Sequence, residues 1–220
     1  MGSGSGLLPL ADKGFDYIEP ETLPDIEKFV DGEIFKDKKI LVLDNLSTLA
    51  HTIIREAALS IPMNGSGGRK YGAPDLSDYK VINELTRRVI ARLISKNPTK
   101  HVIVCAHEKY DRPSESDAPG TESLIGPELS GQLFTAAPSM FDFVLRLRTR
   151  SLLRDPNNPK SRVAIRYFQT NQERGMIVKC RALMNGKALL DAEEIFDLET
   201  GAGGFPVLLE KITTGYKPAG

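Results

Sequence analysis

The sequence predicts an α/β fold: a mostly parallel sheet with helices on both faces and antiparallel strands toward the C-terminus. Three observations carry this expectation. Ile40-Leu41-Val42-Leu43 and Val102-Ile103-Val104 sit in unbroken apolar runs of strand length, which suit central parallel strands covered on both faces. Long amphipathic helical patterns lie between them. The order helix, strand, helix, helix, strand, then several strands is the alternation that layers helices over a parallel sheet.

Taken along the chain, Met1 to Gly6 is a Gly/Ser repeat that cannot bury a core, and it reads as a flexible linker or fusion scar. One α/β domain is expected over residues 7–214, followed by a tail from 215 to 220. Thr22 to Val30 is a short helix with apolar residues at 23, 26, 29 and 30 behind Thr22 as N-cap. Lys39 to Asp44 is the first buried strand. Ser47 to Ile61 is helical, capped by Ser47 or Thr48. Met63 to Pro74 is a glycine-rich loop. Ser77 to Ser95 has the strongest helical pattern, with apolar residues at 81, 82, 85, 89, 90, 93 and 94 behind Ser77. His101 to Ala106 is the second buried strand, and Lys109 to Pro127 is a polar loop. Glu128 to Met140 reads as a helix interrupted near Pro138. Phe143 to Leu147, Arg162 to Phe168 and Met176 to Cys180 read as strands, with a turn at 154–160. Leu189 to Phe196 and Phe205 to Ile212 read as short helices.

Composition narrows the classes of function. Twenty-nine basic and twenty-nine acidic residues cancel, which argues against a surface that grips nucleic acid or anionic membrane everywhere. No stretch approaches the roughly 20 apolar residues of a membrane span. No basic segment followed by an apolar run opens the chain, so a cytoplasmic protein is expected. Cys105 and Cys180 lie singly inside apolar runs and read as reduced core residues. There is no Gly-x-Ser-x-Gly elbow, no His-Glu-x-x-His and no Cys-x-x-Cys, so nucleophile triads and zinc sites have no material.

Chemistry in a parallel sheet gathers beyond the carboxyl ends of its strands. The first strand delivers Asp44, Asn45 and Ser47 there, and the second delivers His107 and Glu108. Asp44 admits two readings: a carboxylate holding Mg²⁺ beside a nucleotide, or a cap for the following helix. His107 and Glu108 sense a γ-phosphate or orient an attacking water, or else satisfy backbone groups where the loop begins. Lys179 and Arg181 flank Cys180 on one side of a strand, as cations reaching a neighbour's nucleotide or as solubilising edge charge. Arg146, Arg148 and Arg150 alternate likewise, toward solvent or a nucleic-acid backbone.

Together the segments resemble phage-encoded RecA-like nucleotide-binding proteins, AAA-type ATPases of single-strand-annealing recombination. Ile40-Leu-Val-Leu-Asp44-Asn-Leu-Ser47 is similar to that family's Walker B strand, and Val102 to Glu108 to its next core strand ending Ala-His-Glu. Gly126-Pro-Glu-Leu-Ser-Gly131 through Leu147 looks like the segment after its mobile loop, and Val178-Lys179-Cys180-Arg181 like its Lys-x-Arg element. The resemblance spans about residues 10 to 212. It implies a RecA-like P-loop NTPase core and ATP with Mg²⁺ as cofactors. Asp44 would be the metal ligand, and Asn45 and Ser47 would lie beside the nucleotide. His107, Glu108, Lys179 and Arg181 would be catalytic, and single-stranded DNA would run near the 109–125 loop of a homo-oligomer.

One departure stands against it. No Gly-Lys-Ser/Thr occurs in the sequence, and the phosphate loop is where triphosphate affinity chiefly arises. Leu7 to Gly14 looks like the strand that follows this loop in the family, ending in Asp12, so the domain is expected to be N-terminally shortened. Weak or absent ATPase activity follows, with a non-catalytic structural or interaction protein as the alternative.

Overall fold

The computed structural model describes residues 16–31, 35–61, 74–112, 123–153, 155–158, 160–171, 175–180, 183–184, 187–196 and 205–215. The linker expected at 1–6, the strand at 7–14, most of the 63–74 and 109–127 loops, Arg154, Arg181 and the tail beyond Gly215 lie outside them.

Helix α1 (Leu23–Val30) opens as its sequence dictates. Thr22 and Asp25 form a reciprocal capping box, with the Asp25 N–H on Thr22 Oγ1 at 3.4 Å and the Thr22 N–H on Asp25 Oδ2 at 3.1 Å. Strand β1 (Ile40–Leu43) leads into α2 (Leu46–Leu49), a π-helical segment (Ala50–Ile54) and α3 (Arg55–Ser60). The residues joining these three keep right-handed helical dihedrals, so they form one rod with a widened turn at its middle. Helix α4 (Leu76–Ser95) is capped by Asp75 rather than by the expected Ser77. Asp75 Oδ1 accepts from the Ser77 and Asp78 N–H groups at 2.7 and 3.0 Å, leaving Ser77 inside the first turn.

The rod, α1 and α4 enclose the main core. Ile26, Val30, Leu41, Ile54, Ile90 and Leu93 are all buried there. Polar clamps hold α1 to α4. Arg92 bonds both Asp31 oxygens at 2.7 and 2.8 Å and reaches Glu27 at 3.0 Å, and buried Asn97 donates to the Val30 and Leu93 carbonyls. Because Asn97 closes the C-terminal ends of both helices, it satisfies carbonyls that the helices cannot.

Strand β2 (His101–Val104) pairs with β1 in parallel, Ile40 opposite His101 through Leu43 opposite Val104. Beyond this pair the expected architecture fails. Antiparallel pairs follow: β3 (Glu108–Asp111) with β4 (Leu124–Pro127), and β5 (Phe143–Val144) with β8 (Lys179–Cys180). Strands β6 (Arg146–Leu153), β7 (Arg162–Gln169) and β11 (Glu193–Phe196) form a three-stranded antiparallel sheet in the order β11-β7-β6. A last hairpin joins β9 (Leu183–Met184) and β10 (Lys187–Ala188). Helices α5 (Leu133–Ser139) and α6 (Phe205–Gly215) complete the described elements. The sheets are small and mostly antiparallel, so a RecA-like P-loop NTPase core on a mostly parallel sheet is not what the described residues build.

The reason lies in the later strands. Along β7, burial alternates instead of running apolar on both faces, which suits a sheet covered on one side. The 154–161 connection is shorter than the dozen or so residues a parallel crossover needs. Leu189 to Phe196, read as a helix, instead supplies β11. Its Glu193 and Ile195 lie opposite Gln169 and Tyr167, and pairing with the open edge of β7 overrides local propensity.

Leu93, fully buried beneath the rod, is expected to lose about 2–5 kcal/mol on Leu93→Ala. Leu76→Ala, at a side chain 81% exposed, is expected to change stability by no more than about 0.5 kcal/mol. Denaturant melts of the two variants check this pair.

Candidate functional site

Parallel register brings the ends of β1 and β2 to the same edge. The Cys105 N–H bonds the Leu43 carbonyl at 2.9 Å, and the Leu46 N–H bonds the Cys105 carbonyl at 2.8 Å. This interlock continues into side chains: buried Ser47 accepts from the His107 N–H through Oγ at 3.1 Å. The His107 carbonyl in turn accepts from the Glu128 N–H at 2.7 Å.

Asn45 is the N-cap of α2. Its Oδ1 accepts from the Thr48 N–H at 2.7 Å. That bond fixes the amide, so Nδ2 faces His107 Nε2 at 3.0 Å. An amide nitrogen only donates, so in the tautomer that makes this bond Nε2 accepts and Nδ1 carries the proton. Capping by Asn45 also removes one of the two readings of Asp44. Asp44 does not cap the helix; it stands exposed at the strand end, joined to Asn45 by a cis peptide bond.

Cys105 lies just behind. Burial, and after it the nearby Asp44 carboxylate, push its thiol above the usual range. A thiol shifted in this direction is less readily made the thiolate that acts as a nucleophile.

The other expected residues have partners of their own. Glu108, at the start of β3, is gripped by Arg146: Nη2 donates to Oε1 at 2.7 Å and Nε donates to Oε2. The same guanidinium points Nη1 at the Met176 sulfur. The Glu108 hydrogen bond, above all, holds Arg146 charged. Lys179, from β8, donates to the carbonyls of Ser139, at 3.0 Å, and of Phe141, where α5 ends. Cations complement the negative end of a helix in this way. The structure thus gathers Asp44, Asn45, Ser47 and His107 into one cluster, sets Glu108 beside it in an ion pair, and uses Lys179 to close α5. Sequence reasoning did not find Cys105 and Arg146 as members of the site. The arginine's alternation was visible, but nothing local pairs residues 108 and 146.

Among the described residues no group of three or more His, Cys, Asp or Glu side chains is arranged to hold a metal ion. Mg²⁺ asks for less than that. It takes one or two carboxylates and fills its octahedron with phosphate oxygens and water. Exposed Asp44 fits as a single such ligand.

Asn45→Ala removes both the helix cap and the donor to His107. We expect a loss of about 0.5–2 kcal/mol in a denaturant melt, with Asn45→Asp, which keeps the cap, retaining most of the stability. An imidazole ¹⁵N shift of His107 that is the same in Asn45→Ala and in the parent would contradict the hydrogen bond.

No family model, no curated protein and no solved structure matches this chain, so the family resemblance rests on the residues that carry it.

Proposed function

We propose that this chain handles Mg²⁺–ATP on DNA through an ATPase-type site that is incomplete in this sequence, and that its activity alone is weak or nil. One observation carries the reading. Asp44, released from capping by Asn45, stands exposed at the carboxyl end of a parallel strand pair, next to an imidazole whose orientation is fixed. Asp44 would hold the metal, which supplies positive charge between carboxylate and phosphates. Asn45 and Ser47 keep His107 in place, where its other ring nitrogen can meet a phosphate oxygen or water. Without a phosphate loop, a lone carboxylate repels a polyanion, which is why weak binding is expected. The phage recombination role and a cytoplasmic location go with this reading. No helix among the described residues is long and apolar enough to cross a membrane.

Support for DNA comes from β6 and β7. Between residues 146 and 166 the sequence has seven basic residues and one acid. Arg146 is neutralised by Glu108, and Arg150 by Glu193 at 2.6 Å while it stacks on Tyr167. Among the described residues no ion pair engages Arg148, Lys160, Arg162 or Arg166, and the last three are exposed. The β6–β7 ribbon, whose inner end β11 joins as a third strand, carries exposed Arg162 and Arg166 on one face, an arrangement suited to a phosphate backbone.

A second reading, a non-catalytic interaction protein, is favoured by β1. Ile40 and Val42 are 41% and 52% exposed on one face of a two-stranded sheet, a face that a partner or a second copy would cover.

Titration with a fluorescent ATP analogue and Mg²⁺ tests the nucleotide site. Saturable binding weaker than micromolar, lost on Mg²⁺ removal and in Asp44→Ala, is the expected result. Absence of any Mg²⁺-dependent binding would favour the interaction reading. For DNA, fluorescence anisotropy with a single-stranded oligonucleotide is expected to show a log–log salt slope of roughly −2 to −3, from about 0.7 per neutralised phosphate. Arg162→Glu with Arg166→Glu should weaken binding at least about tenfold, and unchanged affinity would refute the ribbon.

A further inference from the structure

A second polar concavity lies along the rod, separate from the Asp44 cluster. A cavity of about 80 Å³ opens between the π-helical segment, α3, the first turns of α4 and the turn after β4. Its volume decides what it takes. Sites for whole small molecules run to roughly 300–1,000 Å³, several times this volume. It fits one compact chemical group.

The lining says which kind. His51 and Arg55 reach it from the rod, four positions apart, and Tyr79 from α4. Arg55 carries a fixed positive charge, and the guanidinium, imidazole and phenol all supply hydrogen-bond donors. Among the described residues no carboxylate lines the cavity. Among the described residues Arg55 makes no ion pair. Ser130 adds a different property. Its hydroxyl proton is given to Asn83 Oδ1 at 2.7 Å, so towards the cavity its oxygen offers lone pairs only. Ile82, Leu129 and Leu133 close the floor and exclude water from behind.

Thr86, also in the lining, gives its hydroxyl proton to the Ile82 carbonyl at 2.7 Å. A site with several donors, a cation and hydroxyl oxygens that can only accept calls for an oxyanion that keeps a proton of its own. We infer that this cavity binds a phosphate group in its hydrogen-phosphate form, as free phosphate or as the terminal group of a phosphomonoester. Arg55, His51 and Tyr79 bond its unprotonated oxygens, and its P–OH donates to Ser130. Sulfate has the same shape but no proton to give at neutral pH, so it leaves Ser130 unmatched and binds less well. This inference does not rest on the nucleotide reading, because none of these side chains belongs to the Asp44 cluster.

The test is isothermal titration of the full chain, without nucleotide, with inorganic phosphate, sulfate and glycerol 3-phosphate at fixed ionic strength and pH 7. Saturable phosphate binding is expected, several-fold tighter than sulfate. Arg55→Gln, at an exposed position that tolerates substitution, should weaken phosphate about tenfold, and Arg55→Lys should recover part of the loss. Tyr79→Phe should weaken it several-fold. Circular dichroism of each variant must match the parent. Asp44→Ala should leave phosphate binding unchanged, which separates failure here from failure of the nucleotide site. Comparable binding of glycerol 3-phosphate assigns the cavity to a monoester's terminal group, and its exclusion assigns it to free phosphate. No saturation by phosphate, equal affinity in Arg55→Gln, or sulfate binding as tightly as phosphate would each overturn the assignment.

Discussion

Parallel pairing of two strands requires the chain to leave the sheet, cross over and return, and that requirement organises the best-packed part of this molecule. Between β1 and β2 the crossover is made by the α2–α3 rod and by α4, which pack on each other and on Leu41 to form the core. Register follows from the pairing, and the site follows from register. Once Leu43 lies opposite Val104, the next residues of both strands must emerge at one edge, and Asp44, Asn45, Cys105 and His107 meet there without any interaction selecting them individually. The Ser47 and Asn45 hydrogen bonds then fix a geometry that the backbone has already brought within reach.

This hierarchy explains what the sequence disclosed. The α1 cap, the α4 periodicity and the two apolar strands are local properties: Thr22 needs only Asp25, and Ile82, Val89, Ile90 and Leu93 share a face at any time the segment is helical. The site residues at the strand ends were legible for the same reason. The later sheets were not, because their strands are defined by partners. Glu193 to Phe196 has no period that separates strand from helix, and it becomes β11 because β7 leaves an edge open and Lys211 binds Glu194 at 2.7 and 2.8 Å from the facing helix. The π-helical segment likewise has no signal in Ala50-His-Thr-Ile-Ile54. Asn45, rather than Ser47 or Thr48, capped the rod because the strand end positions its side chain one residue before the helix begins, a geometric detail beneath the resolution of a preference list.

Charge in this neutral chain is divided between two uses. Arg92, Arg146, Lys179 and Lys211 close internal contacts: α1 on α4, β3 on β6, the end of α5, and β11 on α6. Such pairs hold elements in place more than they stabilise them outright, since desolvation offsets much of the attraction. Arg55, Arg148, Arg162 and Arg166 lack counter-charges among the described residues. Net charge hides this division, because an evenly balanced total is compatible with local regions where the cations are uncompensated. Partner chemistry is set by those regions and not by the sum.

The rod connects the two polar sites described above. Ser47, His51 and Arg55 recur at four-residue spacing along it, but the π-helical segment lies between the first and the last and rotates the second half relative to the first. In an uninterrupted α-helix the three would form one stripe, facing one neighbour. With the wider turn, Ser47 bonds the His107 N–H just beyond β2, while His51 and Arg55 line the cavity beside Tyr79. The two sites have opposite electrostatic character. Asp44 repels a phosphate unless a cation intervenes, and Arg55 attracts one unaided. The rod therefore begins beside an exposed carboxylate at the end of β1 and carries His51 and Arg55 to the cavity beyond its π turn, and a change that straightened that turn would disturb the cavity before the strand-end cluster.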